Sequence, residues 1–368
     1  MIEMDVERLR SVGLTPAMAL VAICSQPVPE TDADDAAASP RRLVRVTEVH
    51  RETLQVHDGL HEASARVLPR LARLLAGQDT AVAVGDWVVL VHDVHGQPWV
   101  HERIAPLSHI ARRDADGRRH PVVSNVDTAL LVMGLDDDFN PRRLERFLTL
   151  VQGQGVTPVV VLTKADTVSP DQVDEAVATL RSRIAASVEV VAVNGMAPQT
   201  TGVLDPYLAP GQTLVLLGSS GAGKSTLTNA LAGMVLQDTG AVREHDSRGK
   251  HTTTSRSLHR LPGGACVIDT PGLRTLRPDA DEDTLAASFE DIATLASQCR
   301  FRDCKHGQEP GCAVREGVPP DRLRNYQKLL REVRRDTLSV LERQRLSSEW
   351  KARGRAGQAR LKMKRGEA

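Results

Sequence analysis

Residues 213–226 read TLVLLGSSGAGKST, an apolar run followed by a glycine-rich loop and the start of a helical pattern. This arrangement is typical of a phosphate-binding loop, because the loop backbone and the helix N-terminus offer N–H donors to phosphate oxygens. Lys224 would reach the terminal phosphates, and the Ser225 hydroxyl would bind Mg²⁺. A chance glycine-rich turn is the alternative. The predicted phosphate-binding residues are Gly218, Ser219, Ser220, Gly221, Ala222, Gly223, Lys224, Ser225 and Thr226.

A second apolar run ends in an aspartate. Residues 265–268 read ACVI and are followed by Asp269, Thr270, Pro271 and Gly272. At the C-terminal end of a strand, the Asp269 carboxylate would reach Mg²⁺ through water, and the Gly272 N–H would face a γ-phosphate. An aspartate at a strand end is also a common turn former, so this interpretation depends on the loop beside it.

The motif Thr163-Lys164-Ala165-Asp166 follows another apolar run at residues 159–162. It resembles the NKxD guanine-reading motif, with threonine in place of asparagine. The Asp166 carboxylate can accept hydrogen bonds from guanine N1 and N2, whereas adenine lacks that pair of donors. Lys164 would lie along the plane of the base. We therefore expect GTP as the nucleotide and all four residues in its site, with an ordinary turn as the alternative.

Near-continuous apolar runs predict a parallel sheet, because helices cover both faces of such a sheet. Helical patterns lie between the runs at residues 141–153, 170–185 and 224–233. This part of the chain is therefore predicted to be an α/β domain. Its predicted strands are Asp127–Met133, Pro158–Thr163, Val188–Val193, Thr213–Leu217 and Ala265–Asp269.

Shorter runs, separated by turn signals such as Asp58-Gly59, come before this domain. Short strands at this spacing indicate a small β-barrel, for which the five-stranded OB type is the natural candidate. Residues 1–40 contain a short amphipathic stretch from Val6 to Leu20 and then a linker pattern, and residues 112–119 form a basic connector. The predicted barrel strands are Leu43–Val49, Thr53–His57, Ala63–Val67, Trp87–Val91 and Trp99–Ile104.

Three cysteines and one histidine cluster near the C-terminus, at Cys299, Cys304, His306 and Cys312. Three thiolates and an imidazole are enough for a closed tetrahedral zinc site, which leaves no position for water. The site should therefore be structural and stabilise a small domain that lacks a core of its own. Free buried thiols are the alternative.

Charge is unevenly distributed along a chain that is neutral as a whole. Residues 321–368 hold fifteen basic and six acidic residues, a net charge of +9, which indicates a segment that binds a polyanion such as nucleic acid. A solvated helix face with a charged tail is the alternative. Aromatic residues make up only 2% of the chain, so base stacking is a minor contribution.

An acidic N-terminus and the lack of a membrane-length apolar run predict a cytoplasmic protein.

The order of the motifs is unusual. The guanine motif precedes the phosphate loop and the Asp269 motif, whereas ordinary GTPases place the guanine motif last. With a barrel pattern before and a cysteine cluster after, this circular permutation resembles the RsgA (YjeQ) family of ribosome-small-subunit-dependent GTPases. Residues 125–127 and 139–146 resemble that family as well.

The resemblance implies a multidomain fold with several parts. An extension and linker would occupy residues 1–40, and an OB-type β-barrel residues 41–112. A circularly permuted α/β P-loop GTPase domain would follow at 120–285. An α-helical zinc-binding domain at 286–350 and a basic flexible tail at 351–368 would complete the chain.

The resemblance also implies catalytic residues. Residues 249–254 resemble the switch I motif, so one threonine there would bind Mg²⁺; Thr253 is our choice among Thr252 to Thr254. Leu273 stands where many small GTPases have a water-orienting glutamine. His251 is therefore the candidate to orient or deprotonate water, with a merely solvated histidine as the alternative. Residues 191–195 replace the base-closing loop without its serine, so their backbone would contact guanine.

The function implied is hydrolysis of GTP to GDP and phosphate, stimulated by the small (30S) ribosomal subunit during its late maturation. The expected partners are that subunit and its 16S rRNA, and the expected cofactors are one structural Zn²⁺ and the Mg²⁺ bound with GTP. A monomer without membrane association is expected. Two alternatives stay open: a P-loop kinase or ATPase, disfavoured by Asp166, and a zinc-dependent rRNA-binding factor with GTP as a ligand only, disfavoured by the intact Lys224, Ser225 and Asp269.

Overall fold

The computed structural model describes residues 2–25, 40–114, 117–194, 199–236, 256–270 and 277–336. The chain divides into two compact units, Met1–Asp279 and Ala280–Ala368. None of the helices in the described ranges is long and apolar enough to cross a membrane. The predicted linker at residues 26–39, the switch I motif with His251 and Thr252 to Thr254, Gly272, and the basic tail lie outside the described residues.

The first unit contains strands and helices in alternation, with two short 3₁₀ helices at Ala165–Thr167 and Asp205–Tyr207. Its strands are β1 (Ile2–Glu3), β2 (Arg41–Val49), β3 (Leu54–His57), β4 (Glu62–Val67), β5 (Trp87–His92), β6 (Pro98–Arg103), β7 (His109–Arg113), β8 (Arg119–Ser124), β9 (Thr128–Gly134), β10 (Thr157–Thr163), β11 (Glu189–Ala192), β12 (Thr213–Leu217), β13 (Ser257–Arg260), β14 (Cys266–Asp269) and β15 (Arg277–Pro278). Its helices are α1 (Val6–Arg10), α2 (Pro16–Cys24), α3 (Pro69–Gly77), α4 (Pro141–Val151), α5 (Pro170–Arg181), α6 (Gln199–Leu204) and α7 (Lys224–Ala232).

Strands β2 to β6 close into the predicted barrel. They follow the order β2-β3-β4-β6-β5, and β5 pairs back onto β2. All of these pairs are antiparallel except β4 with β6. Alternating apolar residues such as Val44, Val46, Val88 and Leu90 fill the interior. The OB-type barrel is therefore confirmed.

The predicted parallel sheet is formed by β11, β10, β9, β12 and β14, in that order. Strands β9 and β12 are buried at every position because helices and apolar clusters cover both faces. Strand β13, which the sequence pattern does not indicate, pairs antiparallel with β14. Through Ser257 opposite Glu48, it also joins the sheet to the barrel.

The basic stretch at residues 112–119 is not a simple connector. Strands β7 and β8 pair antiparallel on either side of it, and β15 adds a third strand. The pattern of apolar residues does not indicate these strands, because arginines and histidines make up five of their eleven residues.

Residues 2–25 fold against the barrel. Strand β1 pairs in parallel with β2, and Leu9 and Met18 are buried against Leu43 and Trp87. The amphipathic stretch from Val6 to Leu20 contains α1 and part of α2, and its sequence gives no indication of the surface on which these helices pack.

The second unit is helical within its described part. An apolar cluster that includes Leu285, Phe289, Leu329 and Val333 lies at its centre. The expectation that this unit lacks a core of its own is therefore wrong. Its helices are α8 (Glu282–Ser288), α9 (Glu290–Ala296), α10 (Ala313–Gly317) and α11 (Pro320–Asp336).

A buried arginine joins the parts of the first unit. The Arg45 side chain on β2 is fully buried and donates to the carbonyl oxygens of Val12 at 2.6 Å and Asn125 at 2.8 Å. It also donates to the Thr213 hydroxyl at 3.0 Å and lies 5.3 Å from the centre of the Trp87 ring. One guanidinium therefore connects the N-terminal segment, the barrel and the parallel sheet.

We expect Arg45→Met to destabilise the protein by about 3 kcal/mol, because it leaves several buried acceptors without a donor. Urea unfolding followed by circular dichroism measures this change. The control is Arg42→Met on the same strand, which breaks an exposed ion pair with Glu3 and should cost less than about 1 kcal/mol. Equal losses for the two variants would contradict the role given to Arg45.

Candidate nucleotide site and cysteine cluster

The loop between β12 and α7 has the backbone geometry that its glycines allow. Gly221 and Gly223 have φ values of 83° and 89°, in the left-handed region that side chains disfavour. A Cβ added to Gly218 would lie 2.4 Å from the Val132 carbonyl oxygen. These glycines are therefore required by the path of the loop, and α7 begins directly after it at Lys224.

Lys224 folds back over this loop. Its Nζ donates to the carbonyl oxygens of Gly218 at 3.1 Å and Ser219 at 2.7 Å. Burial lowers the pKa of Lys224, and the nearby Asp269 and Asp138 carboxylates oppose that shift. The ammonium group thus lies inside the loop, where its charge can meet a phosphate.

The turn after β9 contributes a contact that the motif analysis missed. The Ser219 hydroxyl donates to Asp138 Oδ1 at 2.6 Å, and the same carboxylate pairs with Arg143 at 2.5 Å. Three consecutive aspartates, residues 136–138, follow a fully buried strand. Such a cluster of carboxylates at the end of a buried strand is the feature of the sequence that indicates a contact with the neighbouring loop.

The guanine motif is bonded to the phosphate loop. The Thr163 hydroxyl, which is buried, donates to the Ala222 carbonyl oxygen at 2.7 Å. Lys164 has a left-handed φ of 61°, and its ammonium donates to Asp136. Asp166 is exposed on the 3₁₀ helix that follows. Thr163 of this motif therefore contacts the phosphate loop, while the Asp166 side chain is accessible to solvent.

The backbone of Val193 lies beside this motif. Its N–H donates to the Leu162 carbonyl at 2.7 Å, and its carbonyl accepts from the Ala165 N–H at 3.4 Å. The first part of the 191–195 loop is thus next to the guanine motif, as the chain order suggested, while Gly195 lies outside the described residues.

Parallel pairing brings the motifs to the same edge of the sheet. Strands β10, β9, β12 and β14 run in the same direction, and Leu216 pairs with Asp269 across β12 and β14. The carboxyl ends of these strands therefore place Thr163, the phosphate loop and Asp269 together. Asp269 is only 5% exposed, and the next residue, Thr270, donates to the Leu216 carbonyl at 2.6 Å.

The second unit brings together the four predicted metal ligands. The candidate ligand atoms of Cys299, Cys304, His306 and Cys312 all lie within 4.8 Å of one another. The Cys299 and Cys312 sulfurs are 4.0 Å apart, and His306 Nδ1 lies 3.7 Å and 3.5 Å from them. This group is compatible with a metal ion.

Comparison with known proteins agrees with these features. A family model described as RsgA GTPase matches residues 101–278. The small ribosomal subunit biogenesis GTPase RsgA of Xanthomonas campestris pv. campestris (strain B100) is 47% identical over 308 residues, which cover 81% of this chain and 82% of the relative. The chain belongs to the RsgA GTPase family. The protein of the same name in Xanthomonas axonopodis pv. citri (strain 306) is 46% identical over the same length.

Two solved structures share the fold of this family member. The crystal structure of YjeQ from Thermotoga maritima superposes with a TM-score of 0.57 at 24% identity, over 80% of this chain and 98% of that one. The structure of YloQ, described as a circularly permuted GTPase, gives 0.54 at 23% identity, over 81% and 97%. The predicted circular permutation is therefore confirmed.

Family membership also confirms that the chain is a GTP-hydrolysing enzyme, as the phosphate loop and guanine motif together predicted. The kinase or ATPase alternative is wrong, and so is the alternative with GTP as a ligand only.

We expect Thr163→Val to weaken GTP binding roughly fivefold, because it leaves the Ala222 carbonyl without its donor and loosens the loop. Competition with a fluorescent GTP analogue measures this affinity. Thr163→Ser keeps the hydroxyl and should restore the affinity. Thr157→Val, at the exposed start of the same strand, is the control. Unchanged affinity in Thr163→Val would show that the hydrogen bond does not support the loop.

Proposed function

We propose that this GTPase acts in the late maturation of the small ribosomal subunit and that the subunit stimulates its hydrolysis of GTP. The relatives described above carry the printed name of small ribosomal subunit biogenesis GTPase. The observation that carries the GTPase part of the proposal is the site itself. The phosphate loop, the guanine motif and Asp269 converge on the same edge of the parallel sheet, with Thr163 bonded to the loop.

The nucleotide would lie along this edge. Its phosphates would be held by residues 218–226 and Lys224, and its guanine by residues 163–166, with Asp166 accepting from N1 and N2. The fit is supported by the exposure of Asp166 and by the enclosed position of the Lys224 ammonium.

A magnesium ion bound with GTP would neutralise charge that develops between the β- and γ-phosphates. Ser225 in the first turn of α7 and Thr253 from switch I would bind it, and the carboxylate of Asp269 would reach it through water. Gly272 would donate its N–H to the γ-phosphate. Oxygen donors of this kind are those that Mg²⁺ prefers.

His251 would orient or deprotonate the attacking water. This proposal rests on the sequence alone. Leu273 stands where other GTPases have a glutamine, and its side chain cannot hydrogen-bond to water, so another residue must position the water. An imidazole has an ordinary pKa near neutrality, at about 6.5, and can therefore accept a proton at neutral pH.

The cysteine cluster would hold one structural zinc ion. In a tetrahedral site, zinc bonds of about 2.3 Å to sulfur and about 2.0 Å to nitrogen place two sulfurs about 3.8 Å apart and a sulfur and a nitrogen about 3.5 Å apart. The separations of 3.5, 3.7 and 4.0 Å between Cys299, His306 and Cys312 are close to these distances. Three thiolates and one imidazole form a donor set typical of zinc.

The remaining parts of the proposal concern partners and domains. The barrel, the zinc domain and the cations of residues 351–368 would contact the phosphate backbone of the 16S rRNA in the subunit. The domain boundaries would be 41–112, 120–285 and 286–350, except that α8, which begins at Glu282, belongs to the second compact unit and moves the last boundary toward Ala280. The protein would act as a monomer in the cytoplasm, where ribosomal subunits are assembled.

Turnover is the test of the proposed function. GTP hydrolysis should be slow in the free protein and faster when purified small subunits are added. His251→Ala should reduce the stimulated turnover roughly hundredfold with GTP affinity unchanged, because the imidazole would act only in the transition state. Asp174→Ala, at an exposed position of α5 outside the parts proposed to contact rRNA, is the control.

Two outcomes would count against parts of this proposal. Equal turnover with and without subunits would reject the link to the ribosome and leave the GTPase in place. Full stimulation of His251→Ala would reject only the role of the imidazole, and the water would then be placed by the backbone or by a ribosomal group.

Zinc content tests the cysteine cluster. Wild-type protein should contain about one zinc per chain, and Cys304→Ala should lose it. Because binding of a structural zinc contributes directly to folding, amide hydrogen exchange in α9, α10 and α11 should become faster while GTP binding is retained. Cys24→Ala, which removes an exposed cysteine of the first unit, should change neither. Wild-type protein without stoichiometric metal would contradict the zinc site.

A further inference from the structure

Arginines are concentrated around the small sheet of β7, β8 and β15. Strands β7 and β8 pair Arg113 with Arg119, and β15 pairs Arg277 with Arg113. Arg256 immediately precedes β13 and is close enough to Arg112 for the two charges to repel each other. The arginines of this region are Arg112, Arg113, Arg118, Arg119, Arg256 and Arg277.

Several of these charges are already used within the fold. Arg113 and Arg119 both donate to the Asp279 carboxylate, with the Arg113 contact at 2.8 Å. Arg277 donates to the Asp114 carbonyl at 2.8 Å. These contacts fix the positions of the three strands and satisfy the side chains that make them.

Arg112 and Arg256 differ from Arg113, Arg119 and Arg277. Neither side chain makes a hydrogen bond or ion pair with any residue in the described ranges, and the Nε of each is buried without an acceptor there. Burial lowers the pKa of Arg256, and the Arg112 charge lowers it further. The adjacent stretches 251–255 and 271–276 contain no aspartate or glutamate in their sequence. Two close cations are held here without a carboxylate from the described residues.

We propose that Arg112 and Arg256 form a binding site for a phosphodiester of the RNA backbone. This inference rests on the proposed function, which gives the protein an RNA partner. Guanidinium groups match the geometry of phosphate oxygens and can bind them in pairs, and a shared anion would remove the repulsion between the two arginines. With an aromatic content of only 2%, this chain is better suited to binding the backbone than the bases.

The position of Arg256 connects this site with the nucleotide site. The next residue, Ser257, pairs with Asp269 across β13 and β14, and also with Glu48 of the barrel. A phosphate bound to Arg256 would therefore attach RNA one residue from the strand position that faces Asp269. The backbone of Arg256 and Ser257 would therefore connect the RNA contact with Asp269, the residue proposed to reach Mg²⁺.

The test is a salt series with Arg112→Gln, Arg256→Gln and the double variant. Binding is measured to purified small subunits and to protein-free RNA extracted from them. Each single variant should bind both probes roughly tenfold more weakly. The slope of log K against log salt is negative, and each single variant should reduce its magnitude by about one. The double variant should reduce it by about two, because each arginine displaces about one counterion.

Two sets of control variants test whether a weaker affinity comes from the loss of the arginine contacts or only from the loss of positive charge. Arg112→Lys and Arg256→Lys keep the charge and should retain the salt slope with a smaller loss of affinity. Arg10→Gln removes an exposed arginine from α1, outside the parts proposed to contact rRNA, and should leave both quantities unchanged. Circular dichroism melting establishes that each variant is folded.

The outcomes are distinct. If the glutamine variants match Arg10→Gln on both probes, the site is wrong and the proposed function stands. If they lose affinity for subunits but not for protein-free RNA, the partner is a ribosomal protein and the inference is overturned. If the wild type binds RNA through these arginines but does not bind subunits, the proposed function fails alone. If the wild type binds neither probe, both fail.

Discussion

The buried guanidinium of Arg45 is the interaction on which the arrangement of the first unit depends. A charge without contact to water is costly, so it must be surrounded by oriented oxygen atoms. Val12, Asn125 and Thr213 supply them from three separate parts of the chain. Burial lowers the pKa of Arg45, and the neighbouring Cys266 and Asp127 oppose this shift. The barrel and the sheet are therefore positioned by a polar contact as well as by apolar packing.

The strands of the parallel sheet run in the same direction, so their carboxyl ends bring the site residues together. Short polar contacts then connect these residues to one another. Thr163 bonds to the loop at Ala222, and the turn after β9 contacts both the loop, through Asp138, and the guanine motif, through Asp136. Groups that would bind the base and the phosphates thus share one hydrogen-bond network. A change at the base end can alter the loop through that network.

The second unit combines two sources of stability. Its apolar cluster includes Phe289 and Leu329, and the buried Arg322 stacks on Phe289 while it donates to Asp291 at 2.8 Å. The cysteine cluster lies against the same core, since Cys312 belongs to it and Cys299 packs on it. A metal ion would therefore add to a core that is already present, and would fix the irregular segment between α9 and α10.

The sequence by itself determined the motifs, the permuted order and the five main strands of the parallel sheet, because these depend on local composition and on the period of apolar residues. It also determined the barrel strands and the four clustered ligands. Only the tertiary structure decided the roles of Arg45, Thr163 and Asp138, and it added β7, β8 and β13. Those features arise from contacts between distant segments. A polar side chain has the same appearance in sequence whether it faces solvent or a buried carbonyl, and a strand rich in arginine lacks the alternation that identifies strands.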